Sequence, residues 1–582
     1  MGRLISPNRP FNMSVANLSR RWVIAERIAE AEETLQRELG IPRVVAALLT
    51  QRGICEPAEA HKFLYPSWDD LHDARTLPDY DAARDEILGA KERGDLIFVH
   101  GDYDVDGVTS ASILHRFLSR VGAKVETHVP HRTKEGYGIN ISAVEKAREA
   151  GAKLFLTCDC GISAHDRVEA AREAGMRVVV TDHHTVGDTI PEAHAVVNPH
   201  RKDSLYPFPE LSGAGVVFKL CDGLAGDLDM PQDKYRQAFA DLAALGTIAD
   251  VMPLRDENRI IAKFGLKRLA ETNKVGIQAL KANSGLDGAI SVYDVGYKLG
   301  PRINAVGRID DAGLALRLLL ESDYSKAKEI ADEIETHNLD RRDAQQRMVD
   351  EAVQMVEDRG LHERYVIVVA STEWHAGIVG LVAGRLVERY HRPTFCLIID
   401  EERGICKGSA RSIPTFSLID AIRAFPGLID GGGHLMAAGC SFMRSELDRV
   451  ADLLDGYARE RLTPDDLVIS MQADLEVDPD ELDMSTMEAL ELLQPFGEGN
   501  PEPSFVCRGM NLVGIKPTRN PAHVNLTFHT TRKNAVPVVA FNLAEKFQNE
   551  MPGSAMDLFF QPKIDSFNGR RVKWHLKDFV PC

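Results

Sequence analysis

The chain has 582 residues, too many for one hydrophobic core, so three to five domains are expected. Its 44% hydrophobic and 27% charged residues exclude a mostly disordered chain, and no apolar run is long enough to span a membrane. The net charge of −18 argues against a surface coated in basic residues for nucleic acid.

That balance is uneven along the chain. Residues 501–582 carry 11 Lys+Arg against 6 Asp+Glu, a local excess of +5. The N-terminal MGRLISPNRP has no apolar core and no small-residue cleavage site, which reads as non-secreted. Nine scattered cysteines, an odd number without a CxxC pair, point to a reduced, cytoplasmic protein. Cys158 and Cys160 form a CxC, a weak zinc signal with no second Cys/His pair to complete it.

In chain order, residues 1–75 read as helical and polar, a packing or docking segment. From residue 76, short apolar runs alternate with amphipathic stretches. The runs are LIFVH (96–100), KVETHVP (124–130), KLFLTC (153–158), RVVVTD (177–182) and AVVN (195–198). Such alternation implies βαβ units and a mostly parallel sheet covered by helices. Residues 324–358 lack Gly and Pro and predict one long, charged connector helix. A second α/β pattern starts at YVIVVAS (365–371). After about residue 468, short β runs with turn signals predict a small barrel or sandwich.

The chemistry sits at the ends of apolar runs. HGDYDVDGVTS (100–110) places His100, Asp102, Asp104 and Asp106 within seven residues. An Asp-rich turn and helix cap is the bland alternative, but one cap does not need three acids. TCDCGIS (157–163), TDHHTVG (181–187) and LGTIADVMPL, with Asp250, add acids and imidazoles at the ends of further apolar runs, expected to be strand ends. Open parallel sheets bind ligands at that edge. Carboxylates with His and without organised thiolates favour Mn²⁺ or Mg²⁺. The number of ligands allows two ions sharing one carboxylate, an arrangement suited to phosphate-ester hydrolysis.

DYDVDG, CDCGIS and DHH in this order resemble the DHH phosphoesterase family. GPRINAVGRIDDA (300–312), EWHAGIVGLVAGRL (373–386), GSARS (408–412), GGGHLMAAG (431–439) and LLQPFGEGNPEP (492–503) are similar to its single-strand DNA exonucleases. The resemblance implies an α/β fold. A parallel-sheet DHH lobe is joined by a long helix to a smaller α/β DHHA1 lobe, and a C-terminal OB-like β-barrel follows. The implied boundaries are 1–75, a helical segment; 76–275, DHH; 276–360, helical connector; 361–468, DHHA1; and 469–582, OB-like.

The same resemblance assigns roles. Asp104, Asp106, Asp159, His183 and Asp250 are implied metal ligands, with Asp159 bridging both ions. His184 is similar to a phosphate-contacting histidine. His100 is either a ligand or a supporting residue, and Asp102 and Asp182 are supporting. Arg132, Arg308, Ser409, Arg411 and His434 are implied phosphate contacts, Arg132 at a terminal 5′-phosphate. Gly431 to Gly433 are expected to present backbone N–H groups to an anion, with a helix start behind them adding its dipole.

The implied activity is metal-dependent 5′→3′ hydrolysis of single-stranded DNA in recombination and repair. The strand would enter a cleft between the lobes. Single-strand-binding protein and a helicase are the implied partners. Trp574 and several Phe in the basic C-terminal region are expected to stack on bases. The alternatives are a small-molecule phosphoesterase and a non-catalytic scaffold. The first would lack this β region, and the second would have lost acids from the cradle.

Overall fold

The structure is a computed structural model that describes residues 20–131, 135–136, 138–309, 313–530, 534–565 and 569–582. The chain divides into two compact units with interleaved segments. One comprises residues 56–341 and 492–502; the other comprises 1–55, 342–491 and 503–582.

The first unit is built on a five-stranded parallel sheet. Its strands are Leu96–Gly101, Lys124–His128, Leu154–Cys158, Arg177–Thr181 and Ala195–Val197. Every apolar run expected to be a strand is one. The second strand lies at one edge, beside the first, and the other three follow on the first strand's opposite side. The runs are continuously apolar because both faces are covered. Ile97, Val99, Leu154, Leu156 and Val179 face one core, whereas Phe98, Phe155, Val178 and Val180 face the other. The strand order reverses between Leu96–Gly101 and Leu154–Cys158. A crevice opens outside the carboxyl ends at such a point.

Helices Val105–Arg120, Gly213–Asp227, Gln232–Ala249 and Asp256–Ala270 build the larger of these two cores. The LLQPFGEGNPEP motif also belongs here. Arg259, almost fully buried, donates to the carbonyls of Phe63, Leu492, Leu493 and Gln494 at 2.8–2.9 Å. Leu254 N–H donates to Glu498 O at 2.7 Å. The motif therefore braces the turn that follows Asp250. Helix Tyr324–Asp358 has the expected bounds, and the chain passes from one unit to the other within it.

In the second unit, strand Ile367–Ser371 runs parallel to Thr394–Asp400. Ile405–Arg411, Ala437–Met443 and Asp430–Gly433 complete that sheet in antiparallel fashion. Helix Val379–Tyr390 covers one face together with the end of the long helix. Strands Phe505–Pro517, Val524–His529, Ala535–Ala540, Arg571–Pro581 and Ala555–Asp565 close into a five-stranded barrel, because the last also pairs with the first.

The N-terminal segment departs from expectation. The N-terminal region is not all helical: Arg20–Ile24 is a strand paired in parallel with Ile469–Ala473. Its Trp22 indole donates to Asp578 at 3.0 Å. Partners some 450 residues away leave no local trace in a five-residue run beside a strong helical pattern.

Removing the Arg259 guanidinium would strand buried carbonyls. Arg259→Ala is expected to destabilise the first unit by about 3 kcal/mol or more, read as a lowered melting temperature. A change below about 0.5 kcal/mol, the range of ordinary surface substitutions, would contradict the bracing role.

Candidate functional site

The strand ends deliver the acids to one place. Asp104 caps helix Val105–Arg120 through a 3.0 Å bond from Gly107 N–H, and Asp106 follows in the first turn. Asp106 is held by the start of another helix: Gly213 and Ala214 N–H groups donate to it at 2.6 and 2.9 Å. Helix N-termini favour negative charge. Asp159 leaves its strand with a φ of 60°, a backbone state unusual for a non-glycine residue and common at functional sites. The neighbours are glycines because nothing larger fits. A Cβ on Gly213 would lie 2.6 Å from the Asp159 Cβ, and one on Gly246 would lie 2.5 Å from the Asp106 carboxylate.

His183 Nε2 is the hub. It lies 3.1 Å from Asp159 Oδ1, 3.8 Å from Asp106 Oδ2 and 3.7 Å from Asp250 Oδ2. The Asp159 oxygen, although close, receives no hydrogen bond from any described residue. These donor atoms crowd together without bonding one another. Potential ligand atoms fall into three overlapping groups, each within 4.8 Å: Asp106, His183 and Asp250; Asp102, Asp104 and Asp159; and Asp159, His183 and His184. Asp159 joins the second and third groups and touches the first through His183.

Electrostatics agree with the geometry. Burial and the neighbouring carboxylates push Asp102 and Asp106 up to about 7, Asp250 up to about 8 and Asp159 well above the usual range. Burial lowers His183 to about 4, leaving a neutral, ligand-competent imidazole. Burial and mutual repulsion oppose ionisation of Asp102, Asp106, Asp159 and Asp250, and bound cations would relieve both. Buried oxygens without donors on Asp102 and Asp159, one neutral imidazole and no thiolate fit hard divalent ions such as Mn²⁺ or Mg²⁺. Cys158 and Cys160 are buried and join none of the described groups, so the zinc signal leads nowhere.

The supporting residues sort themselves. Asp182, buried, accepts from Ile162, His183 and His184 N–H groups and from His184 Nδ1 at 2.7 Å. Burial opposes charge on His184, but the Asp182 bond and nearby carboxylates outweigh it and raise the ring to about 9. His184 is thus a half-exposed imidazolium beside the carboxylates. His100 is buried, bonds Gly138 O at 3.2 Å and enters none of the described groups. Asp102, expected only as support, stands with Asp104 and Asp159.

In the second unit, Ser409 and Arg411 alternate on one strand and share a face. Both lie against the first turn of helix Val379–Tyr390: a Cβ on Gly380 would sit 3.1 Å from an Arg411 guanidinium nitrogen and 3.5 Å from Ser409 Oγ. That helix start has no side-chain cap. A hydroxyl, a guanidinium and a helix N-terminus side by side are groups that favour an anion. The helix start expected behind Gly431 to Gly433 is not there. They form a β-strand paired with Ala437–Met443, and a hairpin with His434 at its exposed tip follows, not a helix. The dipole comes instead from EWHAGIVG, a motif noticed in the sequence but given no anion role. Arg132 and the Arg308 side chain lie outside the described residues.

The barrel corrects another expectation. Trp574 is 2% exposed and stacks on Phe560, ring centroids 3.7 Å apart, so it is core. Among the described barrel residues the exposed ring is Phe541, 48% exposed, with His523 and His575 edge-on at 5.1 and 5.3 Å. Burial and the nearby Lys563, Lys577 and Lys573 lower His575 to about 4, which marks a basic surface around that ring.

Comparison with known proteins agrees with this arrangement. Family models match at residues 96–247 (DHH family, N-terminal domain), 363–460 (DHHA1 domain) and 473–578 (RecJ OB domain). The fold is that of the DHH family. A single-stranded-DNA-specific exonuclease RecJ of Bacillus subtilis is 38% identical, over 95% of this chain and 69% of the relative. That of Dickeya dadantii is 35% identical, over 92% and 96%. The crystal structure of RecJ in complex with Mn²⁺ from Thermus thermophilus superposes with a TM-score of 0.82 at 30% identity, covering 97% of this chain and 80% of that one. The chain belongs to the RecJ exonucleases.

A carboxyl with a raised pKa costs stability above its unfolded value near 4, increasingly as pH rises. Asp159→Asn removes that cost. In chelator at pH 7.5 it should melt about 2–4 °C higher per kcal/mol recovered, and added Mn²⁺ should no longer stabilise it as it does the wild type. An unchanged response to Mn²⁺ would exclude Asp159 from the metal centre.

Proposed function

We propose that the chain is a metal-dependent exonuclease that hydrolyses phosphodiester bonds of single-stranded DNA from the 5′ end, in recombination and repair. One observation carries the reading: five carboxylates and a neutral imidazole converge at the switch point of a parallel sheet, with Asp159 shared among the donor groups. The exonuclease names of its relatives and the OB barrel support the choice of substrate.

Asp104, Asp106, Asp159, His183 and Asp250 are the proposed ligands, with Asp102 added by its position. Two divalent ions there would supply positive charge to the scissile phosphate and acidify a water. The chain's own residues do the rest. Asp106 is fixed by the Gly213 and Ala214 N–H groups, and Asp182 orients His184. The His184 imidazolium donates from its other nitrogen to a phosphate oxygen, a charge-assisted bond. Arg308 and His434 are proposed contacts to internal phosphates. Ser409, Arg411 and Arg132 are proposed to hold the 5′-terminal phosphate.

Phe541 and the surrounding lysines are proposed to take the strand beyond the cleaved end by stacking and charge. Single-strand-binding protein and a helicase are proposed as partners on family resemblance. A cytoplasmic location is proposed from nine free cysteines. No described helix is long and apolar enough to cross a membrane.

Two variants test the reading against end-labelled strands. A 5′-hydroxyl end forfeits the Arg411 contact without mutation. Arg411→Ala should therefore lower kcat/KM on 5′-phosphorylated strands by about one to two factors of ten and change 5′-hydroxyl strands far less. Equal losses would place Arg411 at an internal phosphate. Phe541→Ala should weaken binding of long oligo-dT by about tenfold while very short oligonucleotides are cleaved normally. Equal effects on both lengths would show a structural role.

A further inference from the structure

The unit that holds the carboxylates also exposes two aromatic rings that fill no core. Tyr293 and Tyr297 are 61% and 70% exposed and stack on each other, ring centroids 4.7 Å apart and planes at 21°. They stand four residues apart where helix Val292–Asp294 runs into the π-helical turn Val295–Leu299. Such turns are rare and cluster at functional sites.

This segment is fastened to the metal centre. Val295 and Leu299 are buried beneath it. A Cβ on Gly300 would lie 3.6 Å from the Ala249 Cβ and 3.9 Å from Val105 Cγ2. Ala249 precedes Asp250, and Val105 stands between Asp104 and Asp106. At about 1.5 Å per residue, Tyr297 and Tyr293 lie roughly 5 and 10 Å along the helix from Gly300. Val251, directly after Asp250, is 64% exposed and adopts a φ of 58°. Exposed Tyr293, Tyr297 and Val251 thus stand on the segments that carry or pack against the carboxylates, beside the Asp294–Lys298 ion pair.

A stacked pair one turn apart gives a surface helix a small gain, and less exposed apolar groups would supply it equally. Two open rings offer something else, a flat π-surface for an incoming ring. We propose that Tyr293 and Tyr297 form a base-binding platform for unpaired nucleobases of the strand whose phosphate lies at the carboxylate cluster. The proposal rests on the single-strand reading above. Every base has a π-face, so the platform is indifferent to sequence. Bases in a duplex are already stacked and paired and gain nothing from it. The platform therefore contributes to the preference for single strands through binding as well as through fit.

The test compares 5′-phosphorylated oligo-dT with the same strand carrying abasic residues at about its first four positions. Wild type should show a KM about tenfold higher on the abasic strand, with kcat little changed. The double variant Tyr293→Ala/Tyr297→Ala should have the raised KM on both strands and no longer distinguish them. Tyr293→Phe/Tyr297→Phe should behave as wild type, which separates ring stacking from damage to the fold. A double alanine variant that still discriminates as strongly as wild type overturns the proposal, as does a loss confined to kcat. A wild type that degrades neither strand refutes the exonuclease reading itself. A wild type that degrades both with equal KM refutes only the platform.

Discussion

Five carboxylates in one small volume repel each other, and three of them, Asp102, Asp106 and Asp159, are no more than 2% exposed. Burying one unpaired charge is expensive, and burying several is worse. Much of the first unit's architecture answers that problem. Backbone donors from two helix starts meet Asp104 and Asp106. Glycines at 213 and 246 let these helices approach. Asp182, which would add a further charge, is paired with His184 and kept below the usual carboxylate range despite its burial. What remains uncompensated faces His183 and the crevice, where cations belong.

Distant elements follow from the same constraint. Asp250 arrives from the end of helix Gln232–Ala249, not from the sheet, so its position depends on the turn behind it. The 492–502 segment braces that turn through Glu498 and Arg259. The tyrosine-bearing turn fastens to both sides of the cluster. In the second unit, Ser409 and Arg411 meet a helix start, which gathers positive charge and hydrogen-bond donors.

Much of this was legible because the signals were local. A strand buried on both faces writes a continuous apolar run, and an acid directly after it marks the sheet's carboxyl edge. That logic located Asp102 to Asp106, Asp159 and Asp182 to His184. It failed where the outcome depends on a distant partner. Arg20–Ile24 is a strand only because residues 469–473 lie beside it. Three consecutive glycines do not say whether a helix or a strand pairing follows, and pairing with Ala437–Met443 made them an edge strand. An aromatic in a β run is core or platform according to the face it occupies. Trp574 faces inward and Phe541 ends its strand outside. The resemblance supplied the roles of Asp104, Asp159 and Arg411. It assigned nothing to Tyr293 and Tyr297, whose significance appears only with exposure and placement in hand.

The central claim is that this carboxylate cluster is a divalent-ion site, and that ions displace protons from carboxyls held above their usual range. Calorimetric titration of chelator-treated protein with Mn²⁺, repeated in buffers of different ionisation enthalpy, measures ion number and proton release together. The account predicts two Mn²⁺ per chain, with net proton release near pH 7 that shrinks as pH rises above about 8. A single ion, or two ions bound with no proton release at any pH, would contradict it.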